Sequence, residues 1–329
     1  MKIAEFLTAA GYETRQYTLD KYRKSSLQMS LTGGVGKITE ALFSTVGLII
    51  YIGAAGIAVR AIAPYIQAKT SDPAVICMDE LGKFTIPLLA GHIGGANALA
   101  RMIAEHIGSV AVVTTATDVN NLPAIDEWAA RNNVFITDMK MAKLVAAELV
   151  DGREVGVYGG YPLSGELPKG FSLSTKLPVG IVVAKDTDYT PFAQTLFLIP
   201  RDIYLGIGCR RNTTHEYIEE LVSEQLNLLN ISWHRVGGIA SVDLKQDEVG
   251  LLEFAAKHKL AAEFYTAEEL LSVQGNFTAS EFVKSVVGVD NVCERSAILR
   301  SNGGKMLLRK TAAQGVTLAI CQKDFIIKF

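Results

Sequence analysis

Residues 75–97 read VICMDELGKFTIPLLAGHIGGAN, a pattern that predicts a strand, a turn, a second strand and the start of a helix. The apolar run at 75–78 is typical of a buried strand, and it stops on two adjacent carboxylates, Asp79 and Glu80. A short turn leads into a second apolar run at 84–89. Apolar residues then recur at spacings of three and four, which predicts one face of a helix: Ile93, Ala96, Ala100, Ile103 and Ile107.

The preceding segment has the same order of strand and helix, which favours an α/β fold with a doubly wound parallel sheet. A strand at 48–52 is followed by Gly53 and Gly56, with Arg60 one turn further into the predicted helix. Free backbone amides at such a helix start, together with the arginine, suit a bound anion. A tight connection between strand and helix explains the same pattern.

A β-branched strand at 110–113 runs into a threonine-rich cluster that ends in a carboxylate. Because the carboxyl ends of parallel strands meet at one edge of a sheet, we expect the polar strand ends to share that edge. The residues expected there are Gly53, Asp79, Glu80, Thr114, Thr115, Thr117 and Asp118. A helix that begins near Pro123 and carries Asp126 and Trp128 follows them.

The middle of the chain is rich in glycine and proline, which predicts a small α+β domain. A helix at 140–150 precedes short β runs at 154–158, 180–184 and 195–199. We therefore expect a three-domain α/β chain. Its parts are a Rossmann-like N-terminal domain at 1–135, a middle domain at 136–201 and an α/β C-terminal domain at 202–329.

The C-terminal domain opens with a strand at 203–207 that runs into the glycine-rich segment GIGCRR and a helix at 214–229. This predicts a second strand–glycine turn–helix start, here with two arginines. The later elements are strands at 236–242 and 262–265, a helix at 247–258, a helix start at 292–297, and a terminal hairpin of 305–310 with 315–321.

The composition excludes several classes of protein. Of the 329 residues, 49% are hydrophobic and 20% are charged, so each domain can bury an ordinary core. The 32 basic and 34 acidic residues give a net charge of -2, which argues against a nucleic-acid-binding protein. The four cysteines form no CxxC pair, and the start MKIAEFLTAA has no signal-peptide pattern, so a reducing cytoplasm is expected.

Two further segments have features of other classes of protein. The uncharged stretch at 41–59 approaches the ~20 residues that span a bilayer, but a buried strand between two helical segments explains it better. The segment GGVGK at 33–37 lacks the full phosphate-loop spacing, so we expect a glycine turn before a helix at 37–44. A nucleotide-binding regulator is the weaker alternative.

Several strings closely resemble the CbiG family, the cobalt-precorrin-5A hydrolases of anaerobic cobalamin biosynthesis. In the first domain they are GAAGIAVRAIAP at 53–64, the segment 72–100 and VVTTATDV at 112–119. In the third domain they are GIGCRRNT at 206–213, IASVDLKQDEVGL at 239–251, VGVDNVCERSA at 287–297 and TLAI at 317–320. Residues 1–32 depart from the family pattern.

The resemblance implies a hydrolase that opens the δ-lactone of a ring-contracted cobalt tetrapyrrole, with a two-carbon fragment leaving as acetaldehyde. Cobalt arrives with this substrate, so the resemblance implies no cofactor and no metal site of the protein's own. A carrier of corrinoid intermediates without its own chemistry is the alternative. A homodimer and transient contacts with neighbouring enzymes of the corrinoid pathway are compatible with the sequence, and binding to membranes is not expected.

Lactone hydrolysis needs a group that activates water, a donor for the developing oxyanion and an acid for the leaving oxygen. His92 is the first choice for acid–base work, with Asp118, Asp79 and Glu80 as alternatives. Substrate contacts are expected from amides, hydroxyls and cations that suit a polycarboxylate. They are Gly53, Gly56, Arg60, Gly94, Gly95, Asn97, Thr114, Thr115, Thr117, Gly206, Gly208, Cys209, Arg210, Arg211, Ser241, Lys245, Glu294 and Lys310.

Structural roles remain open for several of these residues. His92 also suits a helix buttress, and the two crowded carboxylates, Asp79 and Glu80, also suit a solvated strand end. The expected substrate site lies between the first and third domains. Cys209 is more typical of a small apolar packing residue than of a nucleophile.

Overall fold

The computed structural model describes residues 2–68, 71–92, 94–281, 285 and 287–329. The fold is mixed α/β with several sheets, and the chain divides into two compact units, Met1–Glu127 and Trp128–Phe329. The three domain boundaries inferred from the sequence stay a prediction. Ile93, which was assigned to the apolar helix face, lies outside the described residues.

The first unit contains a four-stranded sheet and a separate pair of short parallel strands. Its helices are α1 (Lys2–Ala9), α2 (Gly34–Leu42), α3 (Ala55–Ile62), α4 (Ala96–Ile107), α5 (Ala116–Val119) and α6 (Ile125–Arg131), which crosses the unit boundary. Its strands are β1 (Gln16–Thr18), β2 (Gln28–Ser30), β3 (Leu48–Ile52), β4 (Ala74–Met78), β5 (Phe84–Leu89) and β6 (Val110–Ala111).

The four-stranded sheet is mixed, so the prediction of a wholly parallel sheet is wrong. Its order is β3-β4-β5-β6, and β4 pairs antiparallel with β5, while the other two pairs are parallel. The reason is the length of the connection at 79–83, because a parallel crossover needs about a dozen residues or more. As a result, β3 and β4 end at one edge of the sheet, and β5 and β6 end at the opposite edge.

Helices cover both faces of this sheet. On one face, alternate residues of β4 pack against the apolar side of α4, in which Ala96, Ala100 and Ile103 are buried. On the other face, Val75 packs with Phe43 and Ile62. The predicted helical spacing of α4 is therefore confirmed, and the position of α4 fixes the loop that precedes it.

The uncharged stretch at 41–59 comprises the end of α2, the strand β3 and the start of α3. The strand between two helical segments is therefore confirmed, but its burial is not, because its residues are partly buried and Ile52 is exposed. Across the part of the chain that the structure describes, no helix combines the length and the apolar character needed to cross a membrane.

The first sheet of the second unit has the order β7-β11-β10-β8-β9. It confirms the helix and the three β runs predicted for the middle region, with an additional strand at each end. The elements are β7 (Val134–Ile136), α7 (Met139–Val150), β8 (Val155–Gly159), β9 (Phe171–Ser172), β10 (Val179–Val183) and β11 (Gln194–Pro200).

The second sheet of this unit has the order β14-β13-β12-β16-β15, with the predicted terminal hairpin forming β15 and β16. Its elements are β12 (Ile203–Cys209), α8 (His215–Leu228), β13 (Val236–Val242), α9 (Val249–Lys257), β14 (Ala262–Tyr265), α10 (Ala267–Ser272), α11 (Cys293–Arg300), β15 (Lys305–Ala313) and β16 (Val316–Gln322). Short 3-10 helices, Trp233–Arg235 and Asp243–Lys245, flank β13.

Gly206 and Gly208 lie inside β12, so the prediction of a glycine turn at these residues is wrong. A Cβ atom on Gly206 would collide with the backbone carbonyl of Cys293, and one on Gly208 would lie 2.6 Å from the Thr317 hydroxyl oxygen. The two glycines therefore allow close packing of neighbouring elements against β12. The loop that follows β12 reaches α8 only at His215.

Candidate active site

A cluster of polar side chains lies in the first unit at the edge where β5 and β6 end. His92 lies in the loop between β5 and α4, Asn97 and Arg101 lie one turn apart on α4, and Asp118 lies on α5. Spacing of four residues places Asn97 and Arg101 on the same side of their helix. The cluster is completed by Thr115, Thr117 and Asp126.

The loop that carries His92 is held by its own backbone. The amide of Gly95 donates to the carbonyl of His92 at 2.9 Å, and the amide of Asn97 donates to the carbonyl of Gly91 at 2.9 Å. A Cβ atom on Gly91 would lie 2.7 Å from the Asn97 side-chain oxygen, so a larger residue here would displace the Asn97 side chain. The amides that sequence reasoning offered to an oxyanion at Gly95 and Asn97 are thus engaged within the loop.

Asp118 accepts hydrogen bonds at both of its carboxylate oxygens. Arg101 donates to Oδ1 at 2.6 Å, while Asn97 donates to Oδ2 at 2.9 Å and His92 Nε2 lies 3.1 Å from the same oxygen. Burial raises the pKa of Asp118, but hydrogen bonds from Arg101, Thr115 and His92 outweigh it and lower the pKa overall. Asp118 is thus an ionised anchor for its neighbours.

His92 lies between two carboxylates. Its Nε2 atom faces Asp118, and its Nδ1 atom lies 3.5 Å from Asp126 Oδ1. The hydrogen bond to Asp126 is the largest cause that raises the pKa of His92, and together with Asp118 it outweighs burial and brings the pKa to about 9. The imidazole is therefore protonated at neutral pH, and it can donate a proton more readily than accept one.

Sequence reasoning missed two members of this cluster. Arg101 follows Asn97 by one helical turn. Because Asn97 is a candidate, that spacing could have predicted that Arg101 lies beside it in the site. Asp126 was recognised only as a residue of a later helix, because no local pattern links α6 to the His92 loop. Burial raises the pKa of Asp126, but its contact with His92 lowers the pKa overall.

Asp79 and Glu80 lie at the opposite edge of the sheet, so the prediction of one shared edge is wrong. The antiparallel pairing of β4 with β5 separates them from His92 by roughly 15 Å, the length of a five-residue strand. Asp79 accepts hydrogen bonds from the amides of Leu81 and Phe84 in its own turn. Burial raises its pKa, but these backbone bonds lower it overall.

The remaining predicted residues of the first unit divide between the two edges. Gly53, Gly56 and Arg60 lie after β3, on the Asp79 side. Thr115 Oγ1 accepts a hydrogen bond from Asn97 at 2.7 Å, and Thr117 Oγ1 lies 3.3 Å from His92 Nε2. Thr114 is exposed beside them, and Gly94 packs closely against Ala90.

In the second unit, two predicted substrate-binding residues are fully buried. The Ser241 hydroxyl donates to the carbonyl of Ile207 at 2.6 Å, and Ser241 is 0% exposed. Glu294 is 1% exposed, and its carboxylate accepts hydrogen bonds from the Thr278 amide, the Thr278 hydroxyl and the Lys310 amide. These contacts join α11 to β15 and to the loop at 278.

Of the predicted cations, Arg210, Arg211 and Lys245 follow the ends of β12 and β13, and Lys310 lies within β15. Two of them have acidic partners. Arg211 donates to Asp247, and Lys245 Nζ lies 3.1 Å from Glu248 Oε2. The backbone amide of Arg210 donates a hydrogen bond to the carbonyl oxygen of Gly315, and the Arg210 side chain packs beside that glycine. Cys209 is half-buried next to them, and burial raises the pKa of its thiol.

In the described part of the chain, no group of three or more His, Cys, Asp or Glu side chains is arranged to hold a metal ion. The His92 cluster is instead organised around hydrogen bonds between opposite charges. Arg101 and protonated His92 balance the carboxylates of Asp118 and Asp126, so the cluster is close to neutral.

The stability of the protein should depend on the charge of His92. Its pKa is about 9 in the folded state and about 6.5 in an unfolded chain, so the stabilisation is complete below pH 6.5 and is lost as the pH rises through 9. We expect the free energy of unfolding of wild-type protein, relative to His92→Gln, to fall by about 3 kcal/mol between pH 6 and pH 10. Urea unfolding at the two pH values measures it, and an unchanged difference would contradict this charge state.

The chain is similar to proteins of cobalamin biosynthesis. Residues 37–118 match the family described as Cobalamin synthesis G N-terminal, and residues 203–321 match Cobalamin synthesis G C-terminus. A cobalt-precorrin-5A hydrolase of Salmonella typhimurium is 35% identical over 317 residues, covering 92% of this chain and 90% of the relative. One from Priestia megaterium is 28% identical, covering 97% and 91%. A crystal structure of a cobalamin biosynthesis protein G homolog from Sulfolobus solfataricus is 24% identical, covers 90% of this chain and 87% of that chain, and has a TM-score of 0.39.

Proposed function

The chain belongs to the cobalamin synthesis G family and takes part in cobalamin biosynthesis, and on this basis we propose that it opens the δ-lactone of cobalt-precorrin-5A. Hydrolysis of the lactone leaves a hydroxyl group on the two-carbon fragment. When that hydroxyl loses its proton, the C–C bond to the macrocycle breaks, the fragment leaves as acetaldehyde, and the macrocycle carbon takes up a proton to give cobalt-precorrin-5B. Cobalt enters with the substrate and leaves with the product. The names of the two relatives support the substrate, and the His92 cluster supports the reaction type.

The observation that carries the proposal is a histidine, His92, held between two carboxylates at a loop-lined edge of the first unit. When water attacks a lactone carbonyl, the ring C–O bond breaks and the leaving oxygen takes up a proton. His92 supplies that proton from Nδ1, because Nε2 is held at 3.1 Å from Asp118 while Nδ1 lies at the longer distance of 3.5 Å from Asp126. Asp118 holds the ring in its orientation, in the same way as the carboxylate of a catalytic triad.

The protein also has to bind the carboxylates of the substrate. Arg101 uses one terminal nitrogen for Asp118, and half of its side chain is exposed. Within the described residues its other guanidinium nitrogens make no hydrogen bond, so they suit a substrate carboxylate through paired, charge-assisted hydrogen bonds.

The experiment is a turnover assay with purified protein and cobalt-precorrin-5A in a sealed vessel. Acetaldehyde is measured in parallel with the mass of the corrinoid product, and the spontaneous reaction without protein is the baseline. We expect acetaldehyde to form at the rate at which the lactone disappears, well above that baseline. Tight binding of the substrate with no acceleration would contradict the proposal and would favour the carrier function.

A further inference from the structure

We infer that Asp126 is the carboxylate that activates water in the His92 site. This inference rests on the proposed lactone hydrolysis and adds a second reacting group to it. A hydrolase needs a base for water as well as an acid for the leaving oxygen, and protonated His92 fills only the second role.

The two carboxylates that face His92 differ in how many of their oxygens already accept hydrogen bonds. Both oxygens of Asp118 are occupied by Arg101, Asn97 and His92, and its side chain is 11% exposed. Asp126 Oδ1 accepts from the Glu127 amide at 3.0 Å and faces His92, while Oδ2 accepts no hydrogen bond from the described residues. With 26% exposure, Asp126 is the more open of the two.

The acid and the base lie side by side in this arrangement. Asp126 Oδ1 is 3.5 Å from His92 Nδ1, so a water molecule bound at Oδ2 lies close to the nitrogen that donates. The neighbouring charges separate the two pKa values, since the pKa of His92 is raised and the pKa of Asp126 is lowered. Such a separation is a recognised mark of an acid–base pair.

The chemical step balances without a further reactant. Asp126 takes one proton from water as the water oxygen bonds to the lactone carbonyl carbon. The ring C–O bond then breaks, its electron pair goes to the leaving oxygen, and that oxygen takes the proton from His92 Nδ1. Asp126 finally passes its proton to His92 across their contact, which restores both groups.

The test compares three variants in the turnover assay. Asp126→Asn keeps the size and an oxygen that can face His92 but removes the base, so kcat should fall by about 10²–10⁴ with KM within about twofold. Glu127→Gln removes the adjacent carboxylate on the same helix and should keep wild-type kcat. Asp126→Ala leaves space for a small base, so added formate should raise its turnover about tenfold or more.

Rescue by formate separates a base from a structural residue, because an exogenous carboxylate does not restore lost packing. If wild-type protein is active and Asp126→Asn has the same kcat, the role of Asp126 is overturned and the proposed hydrolysis stands. Loss of activity in Asp126→Ala without rescue by formate would also overturn it. Wild-type protein that releases no acetaldehyde would overturn both the function and this role.

Discussion

A His92→Gln variant is expected to bind cobalt-precorrin-5A as wild-type protein does and to release acetaldehyde about 10²–10⁴ times more slowly. Glutamine retains hydrogen-bonding groups near Asp118 and Asp126 but has no proton to donate at neutral pH. The loss should therefore appear in kcat and not in KM. Steady-state kinetics of acetaldehyde release, with substrate affinity from fluorescence or calorimetric titration, measures both.

His106→Gln is the matched control for this substitution. His106 is on α4 in the same unit, where its ring stacks on Phe6 with the centroids 4.0 Å apart. It has no contact with the cluster, and its replacement should leave kcat unchanged. In wild-type protein, kcat should fall as the pH rises through about 9, because His92 then gives up its proton. Wild-type kcat in the glutamine variant would exclude His92 as the acid.

The secondary structure of this chain could be predicted from its sequence because the apolar patterns are clear. The strand at 48–52, the helix α4 and the hairpin of β15 with β16 are examples, since each lies where its apolar run predicts it. These patterns depend only on neighbouring residues and on the alternation of buried and exposed positions. They do not specify the direction in which two strands pair.

Sequence reasoning predicted the direction of β5 wrongly. The true direction changes which of the predicted residues lie together in the candidate site. The prediction followed the general preference of alternating strands and helices for parallel sheets. It did not take into account that the connection at 79–83 is too short for a parallel crossover. With β5 antiparallel to β4, His92 and Asp118 remain together, while Asp79 and Glu80 move to the other edge.

Burial decided the roles of other residues, and burial is a tertiary property. Glu294 resembles a substrate ligand in the sequence, but in the structure its carboxylate is occupied by Thr278 and Lys310. Asp126 has no sequence pattern that connects it to His92, and only the packing of α6 beside the loop brings them together. Sequence therefore predicted the histidine of the site and one of its two carboxylate partners.

The second large effect is expected from a buried ion pair in the second unit. Arg235 donates to the two oxygens of Asp202 at 2.9 and 2.8 Å, and the two side chains are 7% and 1% exposed. Gln322 donates to the same carboxylate at 2.7 Å. These contacts join the segments that precede β12 and β13 to the end of β16, so three neighbouring strands are tied at one edge of their sheet.

Replacing Asp202 by alanine should lower the free energy of unfolding of the second unit by about 3–5 kcal/mol, because the Arg235 charge would remain buried without a partner. Urea unfolding followed by circular dichroism measures the change. Asp247→Ala is the matched control, since its pair with Arg211 is exposed (69% and 56%) and should contribute less than about 1 kcal/mol.

A double variant tests the cause of this loss. If the unpaired charge is responsible, Asp202→Ala combined with Arg235→Met should be more stable than Asp202→Ala alone, because the second substitution removes the buried guanidinium. If the loss comes instead from the space left by the carboxylate, the double variant should be less stable still. A cost for Asp202→Ala no larger than for Asp247→Ala would mean that water reaches and solvates Arg235.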